Sequence, residues 1–404
     1  MDRLRDLRGR PSAARTAALV CLAGVGAGCS ESGPTSSVTV RDSSGVTIVE
    51  STAPAWSDGE GFTLDSTPVL DLTLTGAGEA YEFYGVSDGT LLSDGSIVIS
   101  ERRSGQIKYY SPAGEFLGAF GSRGEGPGEF SWIRAIHRMP GDTVLAFDQR
   151  NRRLTKIGPD REMAGIGPLP LQFVYGAHPL AADTVLLQVG APDQSEPSDP
   201  GHLRMPIYVV RAFFAGEVID TVARGAGSES VSLDGGTIDA APFFGKNTYV
   251  TVHAGRFYLG DSDSLEVRTF AFDGTLERAI RVSGFDLGVE DGSIDAEAAL
   301  RVEINPRNRQ INEMLPRPSH KPAYASIIVD SEGYVWTGEH RGRFRNMLGD
   351  GPQEWQVFSP DGAWLGSLDL PGRFQVYEIG RDYILGLRRD AIDLERPQLL
   401  RLNR

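Results

Sequence analysis

The feature that most constrains the fold is an internal repeat, which runs through most of the chain. Each copy contains a turn, an alternating strand that ends in an acid, a polar loop, a second strand and another turn. In the clearest copy, Ser93-Asp94-Gly95 is the turn and the strand after it ends at Glu101. Four clear copies and two weaker ones, the third and the last, lie at residues 93–115, 140–160, 183–210, 255–274, 331–362 and 381–402.

These copies predict an all-β protein. Alternating β-branched and aromatic residues bounded by Asp-Gly or Pro-Gly turns are signals for strands and hairpins. The 49 glycines and 24 prolines fit a chain of many short strands and turns. Units of about 40–50 residues with four strands each are typical of propeller blades. Six copies therefore predict a six-bladed β-propeller with four-stranded blades.

An N-terminal strand is expected to close the ring. The last copy contains only three candidate strands, near residues 374–378, 383–387 and 398–402. A spare strand at residues 69–74 precedes the first copy. We expect it to take the outermost position in the last blade, so that the ring has no open edge between its two ends.

A short helical insertion is expected between blades 4 and 5, at about residues 284–322. Ala296, Ala299, Leu300 and Ile304 form an apolar stripe at helical spacing. A second short helix is expected after Asn305-Pro306. The sequence leaves open whether this pair of helices is a lid or only fills space.

The N-terminus has the pattern of an export signal. Arginines precede an apolar or small-residue run at residues 16–28, which is too short to span a bilayer. The run ends in Gly26-Ala27-Gly28-Cys29, which resembles the lipobox of bacterial lipoproteins. This resemblance implies a signal peptide at 1–28, lipidation of Cys29 and a location in the cell envelope, facing the periplasm or the cell surface. The remaining divisions are a tether and N-terminal segment at 29–60 and the propeller at 61–404.

The lipid anchor gives the first testable prediction. Replacing Cys29 with alanine removes the residue that would be acylated, so the protein should move from the membrane to the soluble fraction. Fractionation of cells that express either form, followed by immunoblotting, measures this. Unchanged membrane association of the variant would contradict the anchor.

Two stretches carry a resemblance to a known family. Residues 120–130 and 144–154 are similar to the linker and core of NHL-type, TolB-like propeller repeats. Together with the lipobox and residues 42–50, they make the chain resemble bacterial six-bladed propeller lipoproteins of undefined function. The resemblance implies the fold and no particular activity. We expect a monomer that contacts the membrane only through its lipid anchor.

Binding is expected on one face of the propeller. The loops between second and third strands, and those that lead into the next blade, contain the long insertions; we call this side the long-loop face. Arginines are frequent in these loops, Arg102 and Arg103 among them, and could bind a small anion. Alternatively, they pair with neighbouring acids in a solvated rim. The candidate ligand-binding residues are Arg123, Arg150, Arg152, Arg341, Arg388, Asp148, Asp261 and Glu339.

Signals for catalysis are weak. The chain has no metal-spaced histidine pair, nucleophile motif or phosphate-binding loop, so no cofactor or metal is expected. His137 and His178 occupy equivalent repeat positions, which indicates a structural role. The net charge of −14 argues against nucleic acid as a partner. The sequence favours a non-catalytic scaffold that binds a small anion or an envelope protein.

An enzyme is the alternative. In a metal-dependent propeller hydrolase, lactonase or lyase, the acids at equivalent repeat positions would converge on the axis around a divalent ion. Glu101, Asp148, Asp261 and Glu339 are the acids in question.

Overall fold

The computed structural model describes most of the chain, and strands dominate it. The described residues are 37–57, 59–197, 201–236, 238–343, 349 and 351–404. The predicted signal peptide at 1–28 and the predicted lipidation site at Cys29 lie outside them. Within the described residues, no helix is long and apolar enough to cross a membrane.

The first half of the described chain contains short N-terminal strands and two four-stranded antiparallel sheets. The N-terminal strands are β1 (Val38–Ser43), β2 (Val46–Ser51), β3 (Thr63–Leu64) and β4 (Leu70–Asp71). The next strands are β5 (Val86–Leu91), β6 (Ile97–Glu101), β7 (Gln106–Tyr110), β8 (Phe116–Phe120), β9 (Ser122–Arg123), β10 (Glu129–Phe130), β11 (Ile133–Arg138), β12 (Val144–Asp148), β13 (Arg153–Ile157) and β14 (Met163–Pro168). Strands β5–β8 and β11–β14 form the two sheets, and β9 and β10 pair in the connection between them.

The second half contributes four further sheets and two helices. The third sheet uses β15 (Val174–Pro179), β16 (Thr184–Gly190), β17 (Glu196–Pro197), β18 (His202–Phe213), β19 (Val218–Leu233) and β20 (Ile238–Ala240). The fourth contains β21 (Tyr249–His253), β22 (Arg256–Gly260), β23 (Glu266–Ala271) and β24 (Leu276–Val282). The remaining elements are α1 (Ser293–Ile304), α2 (Asn308–Met314), β25 (Ser326–Val329), β26 (Val335–Gly338), β27 (Gln353–Phe358), β28 (Trp364–Leu370), β29 (Phe374–Ile379), β30 (Tyr383–Arg389) and β31 (Glu395–Asn403).

The sheets form a closed ring. The first strands of successive sheets are β5, β11, β15, β21, β25 and β29; each contacts the next, and β29 contacts β5. Apolar clusters fill the space between neighbouring sheets, as where Phe147 of β12 packs with Val185 and Leu187 of β16. Sheets that radiate from a common axis in this way define a β-propeller. The repeat in the sequence therefore predicts the fold class correctly.

N-terminal residues occupy the outer position of the sheet formed by β29–β31. Leu70 pairs with Leu399 of β31, and Thr63 pairs with Asn403. The expected strand at 69–74 is shorter in the structure, because residues Leu72–Leu74 form a 3₁₀ turn. One carboxylate oxygen of Asp71 accepts hydrogen bonds from the Thr73 amide and hydroxyl, at 3.0 and 2.6 Å, and so favours the turn over a longer strand.

A hairpin near the N-terminus lies before the expected propeller boundary at residue 61. Strands β1 and β2 form an antiparallel pair, and β2 also pairs in parallel with β24. Val49 is 2% exposed and packs with Ile280. Residues 38–51 therefore pair with the fourth sheet, within the stretch predicted as a tether and N-terminal segment.

Two expected long loops of the third repeat are largely strand. Residues 202–213 and 218–233 pair with each other as β18 and β19. The end of this pair that contains His202 and Val231 extends beyond the other long strands of the sheet. Helix α1 packs on this extension, where Ile294 and Phe243 share an apolar cluster. The Arg301 guanidinium also lies 4.6 Å from the Phe243 ring centre. These contacts favour a packing role for the helices over a hinged lid.

Candidate functional site

The acids that end the second strands mainly hold loops in place. Asp148 is fully buried, and its oxygens accept hydrogen bonds from the backbone amides of Ser131, Trp132, Arg150 and Asn151, at 2.8 to 3.2 Å. Three of these donors bond Oδ1 and one bonds Oδ2. Asp148 therefore joins the loop before β11 to the loop after β12, which is a structural role; that it also binds a ligand stays a prediction.

The other repeat acids also have protein partners. Glu101 accepts from the Tyr84 amide at 2.9 Å and pairs with Lys108 at 2.8 Å. Asp261 accepts from the Ala226 amide at 2.8 Å. Further partners of the acids are Ser104 for Glu101, Thr248 and Arg268 for Asp261, and Lys321 for Glu339.

These partners do not support a shared axial metal site. Asp261 and Glu339 each have partners in their own blade surroundings, and their predicted role as ligand-facing acids stays a prediction. Among the residues that the structure describes, no three or more His, Cys, Asp or Glu side chains are grouped so that they could hold a metal ion.

Two of the predicted arginines meet in one cavity on the long-loop face. Arg123 and Arg150 line a cavity of about 390 Å³ together with Arg102 and Arg103. The loops before β5 and β11 add the aromatic side chains of Tyr84 and Trp132. We call this site the arginine cavity and define it by Tyr84, Arg102, Arg103, Arg123, Trp132 and Arg150. Residues from three successive sheets converge here, because the loops between β6 and β7, β12 and β13, and β30 and β31 all lie on this face.

The guanidinium groups of the arginine cavity lie against aromatic rings and backbone. Arg102 lies 4.2 Å from the Trp132 ring centre, and Arg103 lies 5.5 Å from that of Tyr84. Arg123 donates to the backbone carbonyl of Arg103 at 3.3 Å. In the described part of the chain, none of the four guanidinium groups has a carboxylate within 4.0 Å. Cation–π contacts of this kind leave the N–H edges of a guanidinium open to an anion.

The two acids at the rim are bound to other cations. Glu395 pairs with Arg389 at 2.9 Å and accepts from the Val86 amide at 2.8 Å. Asp393 pairs with Arg373 at 3.2 Å. The local charge of the arginine cavity is therefore positive, although the whole chain is acidic.

The other predicted arginines lie elsewhere. Arg341 is buried and donates to the carbonyls of Gly351 and Pro352, at 3.1 and 3.0 Å. Arg152 donates to the Leu171 carbonyl at 3.2 Å, and Arg388 is half-buried within β30. Arg341 therefore does not line the cavity that contains Arg123 and Arg150. Arg152 and Arg388 are likewise absent from the cavity lining.

Two histidines meet on the propeller axis. The rings of His137 on β11 and His178 on β15 are 4.9 Å apart. Burial lowers the pKa of His137 to about 4, and burial together with the neighbouring His137 lowers that of His178 to about 3. Both imidazoles are therefore neutral at pH 7. Their equivalent repeat positions were the signal in the sequence that they would come together.

The histidine pair lies between two cavities. One cavity, of about 530 Å³, is lined by all the inner strands and lies at their C-terminal ends, where it includes Asp88 and Glu378. The other, of about 700 Å³, lies at the long-loop end. Burial raises the pKa of Asp88 to about 7, and the nearby charge of Glu378 acts in the same direction. Asp88 also accepts a hydrogen bond from the Ile136 amide at 3.0 Å.

Comparison with known proteins identifies similar folds and no family. No family model matches the chain, and no curated protein matches it. An exported protein of Bacteroides fragilis has a TM-score of 0.51 at 11% identity, over 88% of this chain and 99% of that one. Other solved structures include a DUF4221-family member from Bacteroides vulgatus, with a TM-score of 0.49 at 11% identity over 85% and 96%, and a gluconolactonase from Xanthomonas campestris, with a TM-score of 0.41 at 14% identity over 80% and 87%. At such identities, similarity concerns the fold alone.

Proposed function

We propose that this protein is an exported, lipid-anchored β-propeller with six blades that binds a small organic anion in the arginine cavity and does not catalyse a reaction. The observation that carries the proposal is the group of four guanidinium groups without a carboxylate partner among the described residues. The volume of about 390 Å³ lies within the usual range for small-molecule sites.

The six-blade assignment rests on the closed cycle of contacts between β5, β11, β15, β21, β25 and β29. The export and anchoring assignments rest on the sequence at 1–29, which carries the signal and the lipobox. Together they support the proposal of a binding face held at the end of a tether in the cell envelope.

The chemistry of the arginine cavity defines the ligand class. A guanidinium group binds a carboxylate or a phosphate through two parallel hydrogen bonds. The exposed rings of Tyr84 and Trp132 offer apolar faces beside these donors. This combination favours an anion attached to a ring or an apolar body, such as a sugar acid, a sugar phosphate or a peptide carboxylate, over inorganic phosphate.

Anion binding should depend on the arginines of the cavity. Glucuronate, glucose 6-phosphate, an acetylated dipeptide and inorganic phosphate can be titrated by calorimetry into the purified protein. We expect an organic anion to bind, and the Arg102→Ala/Arg150→Ala double variant to bind it about a hundredfold more weakly, since each charged hydrogen bond contributes about tenfold. Binding should also weaken with added salt.

Arg152→Ala is the matched control, because Arg152 is an exposed loop arginine outside the cavity. It should bind as the unchanged protein does. The proposal fails if none of the four anions binds at millimolar concentration, or if the double variant and the control bind equally well.

A further inference from the structure

The cavity of about 700 Å³ at the long-loop end of the axis has a different chemistry from the arginine cavity. We call it the axial funnel; His137 and His178 lie at its inner end, and Arg134 and Arg343 also line it. No aspartate or glutamate is among its described lining residues. Amides and hydroxyls dominate its polar surface, with Gln149, Gln188, Asn247, Thr248, Tyr249 and Ser326 as the main groups.

Two glutamine amides in the axial funnel are fixed by the backbone. The Nε2 atom of Gln149 donates to the Val174 carbonyl at 2.9 Å. That of Gln188 donates to the Val250 carbonyl at 3.1 Å and lies 3.0 Å from Nε2 of His178. Neither Oε1 atom accepts a hydrogen bond from a described residue. Neither is among the buried polar atoms without a partner, so both oxygens are accessible from the funnel. The two carbonyl oxygens are therefore held as acceptors for a ligand or water.

Gly176 allows this arrangement. A Cβ atom at this position would lie 2.7 Å from Nε2 of Gln188, which is closer than such atoms approach in proteins. The absence of a side chain on β15 lets the Gln188 amide reach the backbone of the next inner strand.

An imidazole nitrogen supplies a further unsatisfied group. Nε2 of His137 is buried and has no hydrogen-bond partner among the described residues. A buried polar atom without a partner costs free energy, which a small rearrangement toward a bound hydroxyl would recover. The imidazole remains neutral at pH 7 and does not attract an anion.

We propose that the axial funnel binds a small oligosaccharide. Sugars present several hydroxyls that both donate and accept, which matches fixed amide carbonyls, serine and threonine hydroxyls and a neutral imidazole. Tyr175 and Tyr249 supply rings against which the apolar faces of a sugar can pack. The lack of carboxylates makes the funnel a poor site for a cation. This site is separate from the arginine cavity and does not depend on the proposed anion.

Neutral probes separate this site from the arginine cavity. Purified protein is applied to an array of neutral oligosaccharides that includes maltotriose, cellotriose, chitotriose and laminaritriose, and the best probe is then titrated by calorimetry. We expect Gln149→Met and Gln188→Met each to weaken binding about tenfold, as for the loss of a well-formed hydrogen bond. The Arg102→Ala/Arg150→Ala variant should bind the same probe normally.

Gln356→Met is the matched control, because the buried Gln356 bonds to Trp364 and is not part of the funnel lining. A second measurement uses unaltered protein with labelled histidines: saturating probe should shift the NMR signals of His137 and His178. The proposal is overturned if no oligosaccharide on the array binds, if the control and the funnel variants bind alike, or if the two histidine signals stay in place.

Discussion

Replacing Arg404 with alanine is expected to lower the free energy of unfolding by about 3 kcal/mol. The Arg404 guanidinium donates to Asp330 at 2.6 Å and to the carbonyls of Gly380 and Arg381, at 2.9 and 2.6 Å. The Asp330 side chain is 0% exposed. Removal of Arg404 leaves this buried carboxylate without its countercharge, which is among the more destabilising single changes.

The position of the Arg404–Asp330 ion pair explains its large expected contribution to the free energy of unfolding. Asp330 follows β25, whereas Arg404 follows β31, so the ion pair joins two neighbouring sheets near the closure of the ring. The guanidinium also lies 4.8 Å from the ring centres of Phe62 and Tyr334. Phe62 precedes β3, and one side chain therefore connects the N-terminal segment to both sheets.

Denaturation in guanidinium chloride measures the effect. Arg401→Ala is the matched control, because Arg401 is 48% exposed and pairs with an exposed Asp382 at 3.6 Å. The control should change the free energy of unfolding by less than about 0.5 kcal/mol. Adding Asp330→Asn to Arg404→Ala should recover part of the loss, since it removes the uncompensated charge. Equal effects at Arg401 and Arg404 would contradict this account.

The repeat predicts those parts of the fold that local sequence determines. In the first copy, the strand expected to end at Glu101 is β6, and the turn before it contains Gly95 at φ 84°. Turn chemistry and alternation act within a few residues, so they can be read from one copy. The β18–β19 extension cannot be read in this way. Residues 225–233 are rich in glycine and serine, and their strand is stabilised by pairing with β18 and β20 and by packing against α1.

The candidate sites also combine features that local sequence predicts with features that depend on contacts in the folded protein. Arg123 and Arg150 are predictable because both kinds of loop, the connection between sheets and the loop between second and third strands, lie on the long-loop face. The sequence does not reveal that Arg341 is held by the Gly351 and Pro352 carbonyls, since those contacts depend on the conformation of its own loop. Asp148 was selected by its repeat position, but the same position places four backbone amides around it.

Acidification is expected to destabilise the fold steeply between about pH 6.5 and pH 4. Burial lowers the pKa of His137 and His340 to about 4 and that of His178 to about 3, from 6.5. Below pH 6.5 the unfolded chain binds protons that the folded state does not. Each histidine therefore removes about 1.4 kcal/mol of stability per pH unit as the pH falls through this window.

Asp88 acts in the opposite direction. Its pKa is about 7 in the folded protein, against 3.8 in the absence of burial. Between these values the folded state holds a proton that the unfolded state has lost, so Asp88 adds stability as the pH falls. One of the three histidine contributions is thus cancelled. Over these four groups the net loss is about 3 kcal/mol per pH unit, from the two histidines that remain. Burial also lowers the pKa of His253, which acts in the same direction as the other histidines.

Chemical denaturation at pH 7, 6, 5 and 4.5 tests both the destabilising effect of the histidines and the opposing effect of Asp88. Asp88→Asn should steepen the loss on acidification, because it removes the opposing contribution. His137→Gln and His178→Gln should each make the loss shallower, since glutamine takes up no proton in the unfolded chain. His320→Gln is the matched control, because His320 is exposed and its replacement should leave the slope unchanged. A free energy of unfolding that stays constant or rises from pH 6.5 to pH 4.5 would show that the two axial histidines and His340 are not held neutral by the fold.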